Sequence, residues 1–253
     1  MMKITPLVSV IIPVFSGSHL LSRAVDSALC QQIPMEIIVV NDASKEDVDT
    51  VMMSYQDNDT VIYMKNQKNL GAAQSRNLGV AHARGKFIAF LDSDDFWAEG
   101  KLRKQLAVLE ETGAVLCATA RELIRPDGVS TGRVIPIPET ITYRQLLRHN
   151  CINCSSVVIR REAALEFPMH HAQDSHEDYI MWLEVLRKYK LARGINEPLL
   201  HYTASNQGKS GSKWKSARMT LRVYRHMGFG PVRSMLCFCS YALHGVWKHY
   251  IRK

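Results

Sequence analysis

A short apolar run in this chain ends in three carboxylates within four residues. Phe87–Leu91 is followed directly by Asp92, and then by Asp94 and Asp95. An apolar run of this length, after the helix-ending Gly85, is typical of a buried strand in a parallel sheet. Ligands of open α/β sheets bind at the carboxyl ends of such strands. Because neighbouring carboxylates repel one another, the segment predicts either a divalent cation site or a solvated acidic turn.

Three earlier apolar runs alternate with segments of helical spacing. Leu7–Val14 and Glu36–Val40 are rich in β-branched residues and predict strands, and Val61–Met64 predicts a third. The helix predicted over Ala72–Ala83 leads into the strand that begins at Phe87. This order, βαβαβαβ, predicts an α/β fold with a mostly parallel sheet, in which the residues that follow the strands meet at one edge.

Glycine-rich nucleotide-binding loops are missing from this half of the sequence. No GxGxxG follows the first strand, and the segment 79–86 has neither the spacing nor the Ser or Thr of a phosphate loop. A nucleotide on this sheet would therefore be held by side chains and a metal ion.

The second half of the chain predicts shorter elements and a polar loop. The loop contains His170, His171 and His176, whose spacing matches no zinc motif, and we expect these residues to face the acceptor. The predicted elements are helices Gly100–Glu111, Thr142–His149 and Tyr179–Tyr189, strands Ala114–Ala120, Ser155–Arg160 and Leu199–Tyr202, and a loop or hairpin over 125–140.

The basic charge of the chain is concentrated at its C-terminal end. The formal net charge is +8, yet residues 201–253 contain ten Lys or Arg and no Asp or Glu. Six scattered cysteines suit a reducing compartment, and the C-x-x-C pair Cys151 and Cys154 has no second pair to complete a zinc site. With only Lys3 before the first apolar run, the N-terminus predicts a first strand rather than a signal peptide.

Four motifs occur in the order and spacing of a known enzyme family: VSVIIPVFS, EIIVVNDAS, NLGAAQSRNLGVAHARGKFIAFLDSDDFW and HEDYIMWLEV. Over residues 7–200 the chain resembles the family 2 glycosyltransferases of the GT-A fold. The resemblance implies a GT-A domain over 1–202, with a nucleotide-binding half over 1–97 and an acceptor-binding half over 98–202, and a basic helical region over 203–253. It also implies inverting transfer of a sugar from a nucleoside diphosphate donor, usually a UDP-sugar, to a hydroxyl acceptor, with Mn²⁺ or Mg²⁺ as cofactor.

The resemblance further implies roles for individual positions. The donor-binding residues would be Pro13, Phe15 and Asp42 for the uracil and ribose, Arg76 and Asn77 for the diphosphate, and Asp92 for the ribose. The metal ligands would be Asp94 and Asp92. The catalytic residues would be Asp178 and Glu177, with Asp178 the expected base. His201 is left open between a contact to the diphosphate or metal and a place in the core.

The chemistry of sugar transfer explains why these residue types are needed. The departing diphosphate gains negative charge, which a metal ion on Asp94 and the forked guanidinium of Arg76 would stabilise. The attacking hydroxyl loses a proton, which a carboxylate such as Asp178 can accept. The alternatives are a surface helix arginine at position 76 and a helix-capping aspartate at position 178. We expect the helix dipole to favour the ionised form of Asp178.

The chain departs from the family pattern at two places. Phe15 and Ser16 stand where the family usually has Tyr-Asn, and Ala43 stands where it usually has Gly. A ring remains to stack on the base, so the change concerns donor choice more than activity. The sequence lacks the QxxRW motif and the transmembrane helices of processive synthases, which predicts transfer of one sugar per encounter.

The basic C-terminal region predicts two helices joined at 228–231. In the second, Val232, Leu236 and Cys239 share one side, and Arg233 flanks it. The pattern predicts either a helix lying on an anionic membrane surface, where a lipid-linked acceptor would be met, or an ordinary packing helix. We therefore expect a cytoplasmic enzyme peripheral to the inner face of the membrane, acting on a lipid-linked or surface-polysaccharide acceptor, with self-association left open and no nucleic acid bound.

Two other functions stay open from the sequence. A non-enzymatic nucleotide- or nucleic-acid-binding module could use the basic tail, although the chain lacks an RNA-recognition signature. A nucleotidyltransferase that makes the activated sugar would normally carry a glycine-rich loop after the first strand, for which the segment 16–18 is a poor substitute.

Overall fold

The computed structural model of the chain describes residues 5–168, 176–204 and 213–250, with the side chains of 213–215 and 243–250 left out. A mixed sheet of ten strands forms its centre. The strands are β1 (Val8–Val14), β2 (Met35–Asn41), β3 (Val61–Lys65), β4 (Phe87–Phe90), β5 (Phe96–Trp97), β6 (Leu116–Ile124), β7 (Ser130–Ile135), β8 (Thr140–Thr142), β9 (Val158–Arg160) and β10 (Leu191–Thr203). The helices are α1 (Ser18–Leu29), α2 (Val48–Met53), α3 (Ala72–His82), α4 (Lys101–Thr112), α5 (Tyr143–Arg148), α6 (Glu177–Tyr189), α7 (Lys213–His226) and α8 (Pro231–Tyr250).

The first four strands are parallel, as the sequence predicts. The strand order is β3-β2-β1-β4-β9-β6-β10-β5, with β7 on β6 and β8 on β10. Strand β1 pairs in parallel with β2 and β4, and β2 pairs in parallel with β3. Strand β9 runs antiparallel between β4 and β6, so the sheet becomes mixed in the second half of the chain. The predicted α/β class is confirmed.

Both faces of the central strands are covered by helices. Every residue of β1 is buried, and alternate side chains join two separate apolar clusters. Ile11 packs with residues of α3 and α6, whereas Val10 and Ile12 pack with residues of α1 and α4. Burial on both faces explains why these strands read as unbroken apolar runs rather than as alternating ones.

Three predictions for the second half need correction. The residues Cys154–Ser156 form a short 3₁₀ turn, so the strand predicted from Ser155 starts only at Val158. The strand predicted over Leu199–Tyr202 is the end of the much longer β10, whose polar middle and register shifts hide it from a pattern search. Strand β5 was not predicted, because two residues carry no periodicity.

The carboxyl ends of β1, β2 and β4 lie side by side at one edge of the sheet. The residues that follow them therefore become neighbours. One turn at this edge has a left-handed backbone: Ala43, which follows β2, has φ 55°. Glycine adopts this conformation more readily than alanine, which explains why the family pattern has glycine here.

The two C-terminal helices differ in what their apolar sides contact. In α7, Met219, Val223 and Tyr224 are buried, so its apolar stripe packs against the body of the protein. In α8, Val232 and Leu236 are 74% and 67% exposed, so that side of the helix faces solvent. In the described part of the chain no helix has both the length and the apolar character needed to cross a membrane. The division of the chain near residue 202 stays a prediction.

Candidate active site

A buried arginine joins two distant acidic motifs at the carboxyl edge of the sheet. Arg76 on α3 is only 5% exposed. Its Nη2 donates to Asp92 Oδ1 at 2.5 Å, and its Nη1 lies 3.7 Å from Glu177 Oε1. Burial alone would lower the pKa of Arg76, but Asp92, Cys154 and Glu177 together raise it. The surface-arginine alternative is therefore wrong.

The three carboxylates of the acidic loop occupy different environments. Burial and the neighbouring Asp92 raise the pKa of Asp94 to about 6. Asp95 is 1% exposed and points inward, where its Oδ1 accepts a hydrogen bond from the Thr203 backbone N–H. Burial, followed by the charges of Asp94 and Asp92, raises the pKa of Asp95 well above its usual range. The loop is thus not a solvated acidic turn.

Side chains from outside the motif fix the backbone of this loop. Ser155 Oγ accepts from the backbone N–H of Asp92, and the indole of Trp97 donates to the Ser155 carbonyl at 2.8 Å. Arg23 donates to the Asp94 carbonyl at 2.8 Å. Two parts of the chain outside the motif, α1 and the 3₁₀ turn, therefore fix the backbone from which the carboxylates project.

The oxygen ligands at this loop fit a divalent cation of the Mg²⁺ type. Among the described residues no three His, Cys, Asp or Glu side chains are grouped as a ready metal site. Mg²⁺, however, is usually bound by one or two carboxylates, and substrate phosphates and water supply the other ligands. Asp92 and Asp94 provide two such carboxylates, and the charge of Asp92 adds to burial in raising the pKa of Asp94.

The predicted base-binding residues lie at the end of β1 and β2. Phe15 is 47% exposed directly after β1, where its ring is open to a ligand, whereas Pro13 is buried within the strand. Asp42 is 2% exposed. Its carboxylate accepts hydrogen bonds from the side chain of Asn66 and from the backbone N–H groups of Leu70 and Gly71. In this structure Asp42 thus holds the loop that precedes α3, and its contact to a base stays a prediction.

Asn77 supports the site through the backbone of a neighbouring segment. Its Nδ2 donates to the Phe167 carbonyl at 2.9 Å, and its Oδ1 accepts from the Phe167 N–H at 2.8 Å. The Phe167 ring lies 5.4 Å from the guanidinium of Arg76. These contacts position Phe167 against Arg76, and the predicted contact of Asn77 with a diphosphate is untested.

The acidic pair opens helix α6. The N-cap of this helix is His176, which makes no side-chain capping bond, so Asp178 lies inside the first turn. Its Oδ1 accepts from the backbone N–H of Tyr179 at 2.7 Å. Burial, followed by the charge of Glu177, raises the pKa of Asp178. The expectation that the helix dipole favours its ionised form is wrong, because burial and the adjacent carboxylate outweigh the dipole.

His201 packs on a neighbouring ring, and its contact to the diphosphate or metal stays an open prediction. Its ring stacks on Phe96 at 4.5 Å between centroids, and its Nδ1 lies 3.2 Å from Glu122 Oε2. His170 and His171 lie outside the described residues. Cys154 is a buried free thiol.

Several residues that shape the site carry no signal in the sequence. Arg23, Ser155 and Thr203 reach the acidic loop from α1, a 3₁₀ turn and the end of β10. Arg121 on β6 lies near Asp178 and Asp95. None of them belongs to a motif, and only the folded chain brings them to the loop.

Sequence comparison places the chain among characterised and putative sugar-transfer enzymes. The family model described as "Glycosyl transferase family 2" matches residues 9–167. The chain is 35% identical over 248 residues to the putative teichuronic acid biosynthesis glycosyltransferase TuaG of Bacillus subtilis (strain 168), covering 96% of this chain and 97% of that protein. It is 32% identical over 244 residues to the UDP-Glc:alpha-D-GlcNAc-diphosphoundecaprenol beta-1,3-glucosyltransferase WfaP of Escherichia coli, covering 96% and 95%.

Solved structures share the fold. The chain is similar to S. aureus TarS in complex with UDP-GlcNAc, with a TM-score of 0.73 and 17% identity over 93% of this chain and 71% of that one. It is also similar to the mannosyltransferase PcManGT from Pyrobaculum calidifontis in complex with GDP-Man and Mn²⁺, with a TM-score of 0.69 and 16% identity over 94% and 69%. The predicted GT-A fold is confirmed, and the nucleic-acid-binding alternative is not favoured.

The bridge made by Arg76 predicts a measurable coupling. Arg76→Met should lower the free energy of unfolding by about 3–5 kcal/mol, because buried carboxylates lose their counter-charge. Glu177→Gln should cost less in the Arg76→Met background than alone, with a coupling of about 1–3 kcal/mol, measured by chemical denaturation at neutral pH. The control is Lys65→Met, which breaks an exposed pair with Asp49 and should cost far less than Arg76→Met. Strict additivity of Arg76→Met and Glu177→Gln would contradict the bridge.

Proposed function

Since the chain belongs to glycosyl transferase family 2 and is a glycosyltransferase, we propose that it moves one sugar from a nucleoside diphosphate donor, namely a UDP-sugar. The acceptor is a hydroxyl group of a lipid-linked saccharide or of a surface polysaccharide. The relatives support this substrate class, since one is named for teichuronic acid biosynthesis and another for an acceptor linked to diphosphoundecaprenol.

One observation carries the proposal. Arg76 holds Asp92 of the acidic loop and Glu177 of the later motif on the same guanidinium. In this proposal Asp92 contacts the donor and Glu177 stands next to the base Asp178, so the two halves of the reaction meet at one cation. This is the arrangement that a direct transfer between two bound substrates needs.

On the donor side, the proposed contacts follow the carboxyl edge of the sheet. The exposed ring of Phe15 stacks on the base, and Asp42 and Pro13 shape the loop and strand behind it. Asp92 accepts from the ribose while Arg76 keeps its carboxylate oriented. Mn²⁺ or Mg²⁺, held by Asp94 and Asp92, would neutralise the charge that develops on the departing diphosphate.

On the acceptor side, Asp178 takes up the proton. A bond forms between the acceptor oxygen and the anomeric carbon as the bond from that carbon to the diphosphate oxygen breaks, and the hydroxyl proton moves to the Asp178 carboxylate. A single displacement of this kind inverts the anomeric configuration. The raised pKa of Asp178 makes it a stronger base than an exposed aspartate.

The C-terminal helix α8 would bring the enzyme to its lipid-linked acceptor. Val232, Met235 and Leu236 are exposed on one side of α8, and Arg233 lies beside them. With ten Lys or Arg and no acidic residue over 201–253, this region complements an anionic lipid surface and would repel a second copy of itself. We therefore place the enzyme at the inner face of the cytoplasmic membrane, bound peripherally through α8.

The metal proposal predicts linked binding of cation and nucleotide. Mn²⁺ should increase the affinity for UDP in calorimetric titrations, and UDP should increase the affinity for Mn²⁺ by the same factor. Asp94→Ala should abolish this coupling because the cation loses a ligand. Asp127→Ala, in an exposed turn, is the control and should leave it intact. If the affinity for UDP changes neither with Mn²⁺ nor with Asp94→Ala, the metal role is ruled out.

The base proposal predicts a loss of turnover with a distinct pH profile. Asp178→Asn should lower kcat by at least ~10²-fold and leave UDP affinity unchanged. In the wild type, kcat should fall as pH drops through the raised pKa of Asp178, because the carboxylate becomes protonated. Besides burial, the charges of Glu177, His176 and Arg76 act on this pKa. Initial rates from pH 4.5 to 8 test this. If Asp178→Asn retains wild-type turnover, the role passes to Glu177.

The membrane proposal predicts binding to anionic vesicles. The double variant Met235→Glu/Leu236→Glu should lower co-sedimentation with phosphatidylglycerol vesicles by ~10-fold, since charged groups replace inserted apolar ones. Wild-type binding should weaken with salt. The control Val129→Glu/Val134→Glu changes exposed apolar residues on another surface and should bind like wild type. Equal binding of all three proteins, or a dimer dissociated by the α8 changes, would contradict the proposal.

A further inference from the structure

Arg121 is a cation at the active site that the proposed mechanism does not use. It lies on β6, where it pairs with Leu200 of β10 and Ile135 of β7. Its guanidinium lies 5.7 Å from the ring centroid of Tyr202. Tyr202 is followed by Thr203, whose backbone N–H donates to Asp95, so Arg121 lies beside the strand end that contacts the acidic loop. The charges of Asp95 and Asp178 also act on the pKa of Arg121.

Within the part of the chain that the structure describes, the guanidinium of Arg121 has no hydrogen-bond acceptor and no ion-pair partner. Its Nε is buried and unpaired. Other arginines around the sheet have hydrogen-bond acceptors. Arg76 donates to Asp92, Arg23 to the Asp94 carbonyl, and Arg160 to the carbonyls of Leu109 and Ala114. A charged group removed from water without a partner is costly, so an unpaired guanidinium in a site indicates an absent anion.

The surroundings of Arg121 also include helix α8. Burial raises the pKa of Tyr241 on α8, and the charges of Asp178, Arg121 and Cys151 also act on this pKa. The Tyr241 ring lies 6.1 Å from that of Tyr179. The inner side of α8 therefore borders the pocket of the proposed base, while its outer side carries the exposed apolar residues. A lipid-linked substrate that approaches along α8 would bring its diphosphate close to Arg121.

We infer that Arg121 binds a phosphate oxygen of a diphosphate-bearing substrate on the base side of the active site. An arginine presents a rigid fork of donors that matches phosphate geometry, and charge-assisted hydrogen bonds of this kind are among the stronger ones in proteins. The inference rests on the proposed function, because it requires a diphosphate-bearing donor or acceptor. Both sources carry the same group, and the experiment separates them.

The test uses two diphosphate probes and the full-length protein. UDP is titrated calorimetrically in Mg²⁺ buffer as the donor probe, and farnesyl diphosphate is titrated into protein saturated with UDP as the acceptor probe. The variants are Arg121→Gln, which removes the charge, and Arg121→Lys, which keeps the charge and loses the fork. The control is Arg125→Gln, an exposed arginine paired with Asp127 close to the end of the same strand.

Arg121→Gln should weaken one probe by at least ~10-fold, as expected for the loss of a charge-assisted hydrogen bond. Arg121→Lys should fall between Arg121→Gln and wild type, and Arg125→Gln should match wild type. A loss confined to farnesyl diphosphate assigns the acceptor diphosphate to Arg121, and a loss confined to UDP assigns the donor diphosphate. Unchanged affinity for both probes in Arg121→Gln and Arg121→Lys would overturn the inference.

Folding and the proposed function are checked separately. Because Arg121 is unpaired in the described structure, Arg121→Gln should keep the wild-type thermal midpoint or raise it, whereas a purely structural arginine would lower it. If Arg121→Gln fails to fold, Arg121→Lys decides the outcome. Wild-type protein that binds neither probe would overturn the proposed donor class together with this inference. If the wild-type protein binds UDP and the Arg121 variants bind both probes with wild-type affinity, the inference alone is overturned.

Discussion

The charge on Arg76 holds the catalytic edge of this protein together. Its guanidinium is buried between Asp92, which follows a central strand, and Glu177, which opens a helix 85 residues later in the chain. A guanidinium at that depth needs carboxylates to pair with, and both motifs supply one. The acidic loop and the start of α6 are therefore positioned by the same arginine, which links the stability of the site to its geometry.

Negative charge still exceeds positive charge at the acidic loop. The pKa of Asp94 is raised to about 6, and that of Asp95 is raised well above its usual range, in both cases first by burial and then by neighbouring carboxylates. On the other side of the pocket, Arg121 has a buried nitrogen without a partner. A site with excess negative charge beside an unpaired cation is prepared for ligands of both signs, namely a divalent cation and a phosphate group.

Much of the fold was predictable, and the reason is local. The strands β1, β2 and β4 are buried on both faces, so each appears as an unbroken apolar run, and helical spacing separates them. Strand β10 was predicted only at its end, because register shifts between Ile195 and Leu200 interrupt its pattern. Within the site, the motif residues Asp92, Asp94 and Asp178 stood out by their position after a strand or before a helix. Arg121 and Ser155 could not be predicted, because nothing in their local sequence differs from that of an ordinary strand or turn.

The sequence by itself determined the α/β class, the parallel first half, the acidic loop after β4 and the membership of a sugar-transfer family. These properties depend on short-range patterns of apolar and polar residues, which act within one helix or strand. Only the tertiary structure decided that Arg76 is a buried bridge, that Asp178 has a raised pKa, that Asp95 points into the interior, and that α8 turns one side to the site and the other to solvent. Burial and charge pairing depend on which distant segments pack against each other, and local sequence does not encode those distances.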